Sequence, residues 1–128
     1  NVKCPTSNEI EYFLNGVKNG YIWFNAFPFN SQLETYDSSL LEFGIKLSYD
    51  IMNSTGLPKE WHSSVISQRD VPGLPRNSIP ILRRNGIRAV SVGANGGTPI
   101  LLNGTKIFKW IDINSNEDIY VMYHSKGK

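Results

Sequence analysis

The chain has 128 residues, 40% of them hydrophobic and 19% charged, with 13 Lys and Arg against 11 Asp and Glu. That length fits one domain or a section of a larger one, and the apolar content supports a packed core rather than disorder. A formal charge of +2 is too mild to point to nucleic acid or an anionic membrane as partner, and Arg83-Arg84 is the one adjacent basic pair.

No run approaches the roughly 20 apolar residues of a membrane span. Neither a signal-peptide pattern nor an initiator Met opens the chain, which runs from Asn1 to Lys126-Gly127-Lys128. Ends of this kind are expected from processing or from a boundary within a longer protein. Cys4 has no second cysteine to pair with, so it is either a free thiol or a bridge to another chain. Asn53-Ser54-Thr55 and Asn103-Gly104-Thr105 are N-glycosylation triplets in expected surface loops, which favours a secreted or lysosomal protein.

Thr6-Ser7-Asn8-Glu9 has capping-box spacing, and Ile10, Phe13, Leu14 and Val17 follow at helical period until Asn19-Gly20; this predicts a helix over 7–18. The aromatic, β-branched run from Tyr21 to Phe27 ends at Pro28 and predicts a buried strand. After a loop over 29–37, Asp37 caps a second helix carrying Leu40, Leu41, Phe43, Gly44, Leu47, Ile51 and Met52, with Gly56-Leu57-Pro58 as its stop. A short strand is expected over 63–68, then a turn through Asp70-Val71-Pro72-Gly73. A helix follows through Ile79, Ile81 and Leu82, with Pro80 in its first turn and Asn85-Gly86 as a left-handed stop. Strands are predicted at 88–92, 107–111 and 119–123, the last two joined as a hairpin around Asn114-Ser115-Asn116. Strands alternating with helices make this an α/β chain of parallel βαβ units. No repeat or linker divides it, so 1–128 is read as a single unit.

Reactive groups in such architectures gather at the carboxyl ends of strands. Three segments fall there: Pro28-Phe29-Asn30, Arg69 to Gly73, and Gly93 to Gly97 with Asn95. Asp70 is the most informative residue. It follows an apolar strand and precedes a Pro-Gly turn leading into a helix, which suits an ionised carboxylate for attacking carbon or ligating a metal. The plainer alternative is an Asp that only caps its own turn. The glycine-rich stretch matches neither dinucleotide nor P-loop spacing and reads as a flexible loop. His62 and His124 have no partner at metal-ligand spacing; both read as solvent-edge histidines, His124 being the better site candidate because it ends a strand. Trp23, Trp61 and Trp110 could form a sugar-stacking wall, although core packing is the ordinary role for Trp23 and Trp110 within strands. Asp37, Glu42 and Asp50 read as the solvated face or ends of a helix.

These pieces together resemble a known family. Tyr21-Ile22-Trp23-Phe24-Asn25-Ala26-Phe27-Pro28-Phe29-Asn30 comes first, then Leu41-Glu42-Phe43-Gly44-Ile45, Arg69-Asp70-Val71-Pro72-Gly73, Ile79-Pro80, Asn85-Gly86-Ile87 and Val92-Gly93-Ala94-Asn95. Phe108-Lys109-Trp110 and Val121-Met122-Tyr123-His124 close the series. In that order the chain, over about residues 20–124, resembles a family related to glycoside hydrolase family 38, the α-mannosidases. The resemblance implies a section of a seven-stranded β/α barrel with a C-terminal hairpin, and retaining hydrolysis of glycosidic bonds. Asp70 would be nucleophile and zinc ligand, and Asn30, Arg69, Asn95 and His124 would line the sugar site.

The chain departs from the mannosidase pattern in lacking a His-x-Asp pair, and one Asp cannot build a four-ligand zinc site. Zinc therefore requires ligands from other segments, and a whole β/α barrel needs about 200 residues or more. The expectation is a chain completed by other pieces of a processed protein or by self-association, acting on carbohydrate. Its rival is a non-catalytic carbohydrate-binding or structural module built on the same scaffold.

Overall fold

A computed structural model describes residues 3–94, 97, 102 and 104–125. Three helices, α1 (Ser7–Lys18), α2 (Ser38–Ser54) and α3 (Ile79–Arg84), accompany four strands, β1 (Val65–Arg69), β2 (Ala89–Gly93), β3 (Thr105–Asp112) and β4 (Glu117–His124). The strands form one sheet in the order β1-β2-β4-β3. β1, β2 and β4 run parallel, and β3 pairs antiparallel with β4 as the expected hairpin. The α/β class, the β1-α3-β2 unit and the hairpin agree with the sequence reading. Among the described residues the sheet is open, with four strands and no closure into a barrel.

The helix starts follow their capping chemistry. Thr6 and Glu9 form a reciprocal capping box at α1, and the Asp37 carboxylate accepts from the Leu40 N–H at 2.8 Å at the start of α2. α1 stops where Gly20 takes a φ of +73°, and α3 stops before Gly86 at +81°, values that glycine adopts without a Cβ clash.

Strand alternation divides the sheet into two faces. Ile66 and Gln68 of β1, Val90 and Val92 of β2, and Ile119, Val121 and Tyr123 of β4 are buried. Of these, Ile66, Val90, Val92, Ile119 and Val121 pack with Leu41 and Ile45 of α2 and Ile79 and Leu82 of α3 in one cluster, so both helices cover the same face. Each such side chain contributes about 1.5–3 kcal/mol by leaving water. A smaller cluster of Val17, Met52 and Leu57 docks α1 against the end of α2. On the other face, Val65, Ile107, Ile111, Tyr120 and Met122 are exposed, Ile107 by 71%.

The strand expected over Tyr21–Phe27 does not form. Tyr21, Ile22 and Trp23 are exposed, and only Ala26 bonds to β1 through the main chain, its N–H donating to Val65 O at 3.1 Å. Side-chain amides replace the ladder. The Asn25 carboxamide accepts from Ser67 N–H and donates to Ser67 C=O, both at 2.9 Å. Asn30 does the same with Arg69, both at 2.7 Å. From the β1 side, Gln68 Nε2 donates to Phe29 O at 2.9 Å and Gln68 Oε1 accepts from Ser31 N–H at 2.8 Å. The outer edge of β1 is thus satisfied by three carboxamides rather than by a strand.

Two predictions follow from the packing. Gly44 of α2 is buried against the Phe27 ring, and a Cβ there would overlap the ring carbons. Gly44→Ala should therefore lower unfolding free energy by about 1–2 kcal/mol in denaturant titration, despite a helix-propensity gain of up to about 1 kcal/mol. At the hairpin, Asp112 is buried and accepts from the Ser115 hydroxyl at 2.8 Å and the Ser115 N–H at 3.0 Å, with Arg76 at 3.4 Å. These donors, the hydroxyl first, hold its carboxyl below the usual range. A depressed carboxyl pKa stabilises the fold above its unfolded value, and that contribution is lost as pH falls through the folded value. Asp112→Asn should flatten the acid limb of a stability-versus-pH curve below about pH 4, and an unchanged limb would contradict this assignment.

Candidate functional site at the carboxyl ends of the parallel strands

Because β1, β2 and β4 run the same way, their carboxyl ends form one rim. The ladder register pairs Arg69 with Gly93 and Gly93 with His124. These three residues therefore lie in one row on the face away from α2 and α3, with the buried glycine between the two side-chain-bearing positions. Strand spacing puts the Arg69 and His124 Cα atoms roughly 10 Å apart. Asp70 comes next after Arg69, and its N–H donates to Gly93 O at 2.9 Å, extending the β1–β2 ladder by one residue. The Ala94 N–H closes the same rim by donating to His124 O at 2.9 Å.

Asp70 is exposed and has a φ of +63°, one of two positive-φ non-glycine residues among those described. Asp tolerates this left-handed conformation better than most residues. The chain bends there and runs on to Pro72-Gly73. The Gly73 N–H is held by Gln32 Oε1 at 3.2 Å.

Four of the five expected site residues meet at this rim. Arg69 and Asp70 end β1, His124 ends β4, and Asn30 is beside Arg69. The Arg69 side chain is exposed and has no ion pair among the described residues. His124 is half-buried. Both ends of the Asn30 carboxamide are engaged by the Arg69 peptide, so Asn30 positions the strand end. Asn95 lies outside the described residues, as does Asn103 of the second glycosylation triplet. Asn53 of the first is exposed in the last turn of α2. Cys4 is an exposed thiol.

Among the described residues no group of three or more His, Cys, Asp or Glu side chains is placed to hold a metal ion. These residues do not by themselves fit a zinc site, which takes four ligands. His62 is engaged elsewhere: its ring stacks on Tyr49 at 5.8 Å and its Nε2 is 3.2 Å from Leu57 O.

Sequence reasoning passed over Gln68. A long polar side chain at a core-facing strand position signals a dedicated buried partner, and Gln68 is 1% exposed with both ends of its amide bonded. It also assigned Trp23 to core packing, whereas that ring is exposed at 66%. Trp110 is half-buried against the core, in keeping with its packing role.

No family model and no curated protein matches the chain.

The positive φ of Asp70 has a measurable consequence. Asp70→Ala should destabilise the fold by about 1 kcal/mol, since alanine bears the left-handed cost without a polar side chain to offset it. Asp70→Gly should remain within about 0.5 kcal/mol of wild type, because relief of strain is offset by the freedom glycine gains on unfolding. Equal losses in both variants would show that the carboxylate, not the backbone, stabilises the turn.

Proposed function

We propose that this chain is the nucleophile-bearing section of a glycoside-hydrolase-like protein, in which Asp70 attacks the anomeric carbon of a bound sugar. The observation that carries this reading is the grouping of Asp70 with Arg69 and His124 on the strand-end rim. That is where β/α enzymes hold their reacting groups. Gly93 puts no side chain between Arg69 and His124, and Asn30 holds Arg69, so the carboxylate is carried on a fixed strand end.

The sheet face away from α2 and α3 supports the barrel part of the reading. Its side chains stand in rows: Val65, Ala89 and Tyr120, then Ser67, Ser91 and Met122, then Arg69, Gly93 and His124. Small residues at the centre of each row suit the inward face of a curved sheet whose helices all lie on the outside. Further strands, from other segments or other chains, would complete the wall.

In the retaining reaction the Asp70 carboxylate forms a bond to the anomeric carbon as the glycosidic oxygen leaves. An acid carried by another segment protonates that oxygen. Water then cleaves the glycosyl ester and regenerates the carboxylate. Arg69 would hold sugar hydroxyls or charge developing near the ester, and His124 would donate to or accept from a hydroxyl across the rim. The two glycosylation triplets accord with secretion or lysosomal delivery.

The test is turnover by the native, fully assembled protein on a panel of aryl α- and β-glycosides, read by release of the aryl alcohol. Asp70→Asn should lower kcat by roughly a thousandfold or more while the melting temperature moves by no more than about 2 °C. Wild-type inactivity across the panel, or normal turnover by Asp70→Asn, would remove the hydrolase assignment.

A further inference from the structure

We propose that the cleft between Trp23 and Trp61, at the amino end of β1, is a second carbohydrate site that takes the apolar face of a pyranose ring against its exposed indoles. It lies at the opposite end of β1 from Asp70, about 16 Å away along the strand, and stands independently of any chemistry at the rim. Trp23 and Trp61 are 66% and 44% exposed. They share one cavity of about 650 Å³ with Asn19, Glu60, Ser64 and Val65, within the size range of small-ligand sites.

The two indoles are held differently. Trp23 Nε1 donates to Gly20 O at 2.8 Å, which fixes the ring where the chain leaves α1 and leaves its face to solvent. Trp61 ends a short 3-10 helix whose backbone is tied by Trp61 N–H to Pro58 O at 2.9 Å. Among the described residues, no hydrogen bond satisfies the Trp61 indole N–H, which is therefore available to a ligand. An exposed, oriented aromatic ring beside uncommitted polar groups matches a molecule with one C–H face and a hydroxyl-bearing edge.

Polar groups around the rings support the same ligand class. Glu60 has no ion pair among the described residues and can accept from hydroxyls. Its charge also disfavours phosphate or another anion beside the rings. A neighbouring cavity shares Glu60, His62, Ser63 and Ser64 and continues toward Lys59 and Arg88. The surface is thus long enough for more than one sugar ring, with donors at its far end. A saccharide chain of at least two units is the inferred occupant.

The experiment is a tryptophan-fluorescence titration of the whole chain with cellotetraose, mannotetraose and N-acetylchitotetraose, with decaproline as a peptide probe. At least one tetrasaccharide should change the emission with a dissociation constant in the micromolar to millimolar range. Trp61→Ala and Trp23→Ala should each weaken binding roughly tenfold or more, and Trp61→Phe should weaken it less. Circular dichroism of each variant, unchanged from wild type, keeps loss of binding separate from loss of fold. No response to any tetrasaccharide at about 10 mM, binding unchanged in Trp61→Ala, or preference for decaproline would each overturn the proposal. Protection of both indoles from iodide quenching in the ligand-free native protein would overturn it too.

Discussion

The outer edge of β1 is where the rest of the arrangement is anchored. A parallel strand at the margin of a sheet leaves peptide groups unpaired on one side, and such an edge either recruits a neighbour or must be closed. Here Asn25 and Asn30 each present one acceptor and one donor to a single residue of β1, reproducing the two bonds a neighbouring strand would make. Gln68 answers in the other direction by gripping Phe29 and Ser31. The segment from Asn25 to Ser31 is thereby bound to the strand without becoming one, and Ala26 and Phe27 enter the core from it, with Leu33 just beyond. Arg69, the residue that delivers the chain to Asp70, is held by one of these clamps.

The direction of the three parallel strands then separates two chemically distinct ends. Charged and imidazole groups stand at the carboxyl end around a glycine, while at the amino end two exposed indoles share a cavity with Glu60 and Ser64. Between them, the helix-covered face is packed by Ile66, Val90, Val121 and their partners, and the other face leaves Ile107 and Tyr120 in solvent. Parallel sheets are usually covered on both sides.

Much of this organisation can be read from residue patterns. The capping box at Thr6–Glu9, the Asp37 cap, the left-handed Gly86 and the Asn114-Ser115-Asn116 turn each act over a few residues, and each element they delimit forms where expected. The rim was legible for a similar reason: parallel strands must end together, so strand-terminal residues such as Arg69, Asp70 and His124 are brought to one side. What pattern could not supply was the fate of Tyr21–Phe27. Its composition favours a strand, yet strand formation needs a partner with free peptide groups. The partner's groups are taken by side chains five residues apart, at Asn25 and Asn30. Nothing local distinguishes an asparagine that mimics a peptide from one that faces solvent. Whether the open sheet closes with further strands is likewise a property of contacts beyond this chain's own periodicity.

The Asn30 clamp also makes the carboxyl end of β1 depend on the amide nitrogen of one side chain. Conversion to aspartate would replace the amide that donates to the Arg69 carbonyl with an anionic oxygen, turning one hydrogen bond into a repulsion between acceptors. The bond from Arg69 N–H would survive, so the strand end would be loosened rather than released. A single-atom change on a neighbouring loop would thus loosen the backbone that leads to Asp70 while leaving Arg69, Asp70 and His124 chemically intact.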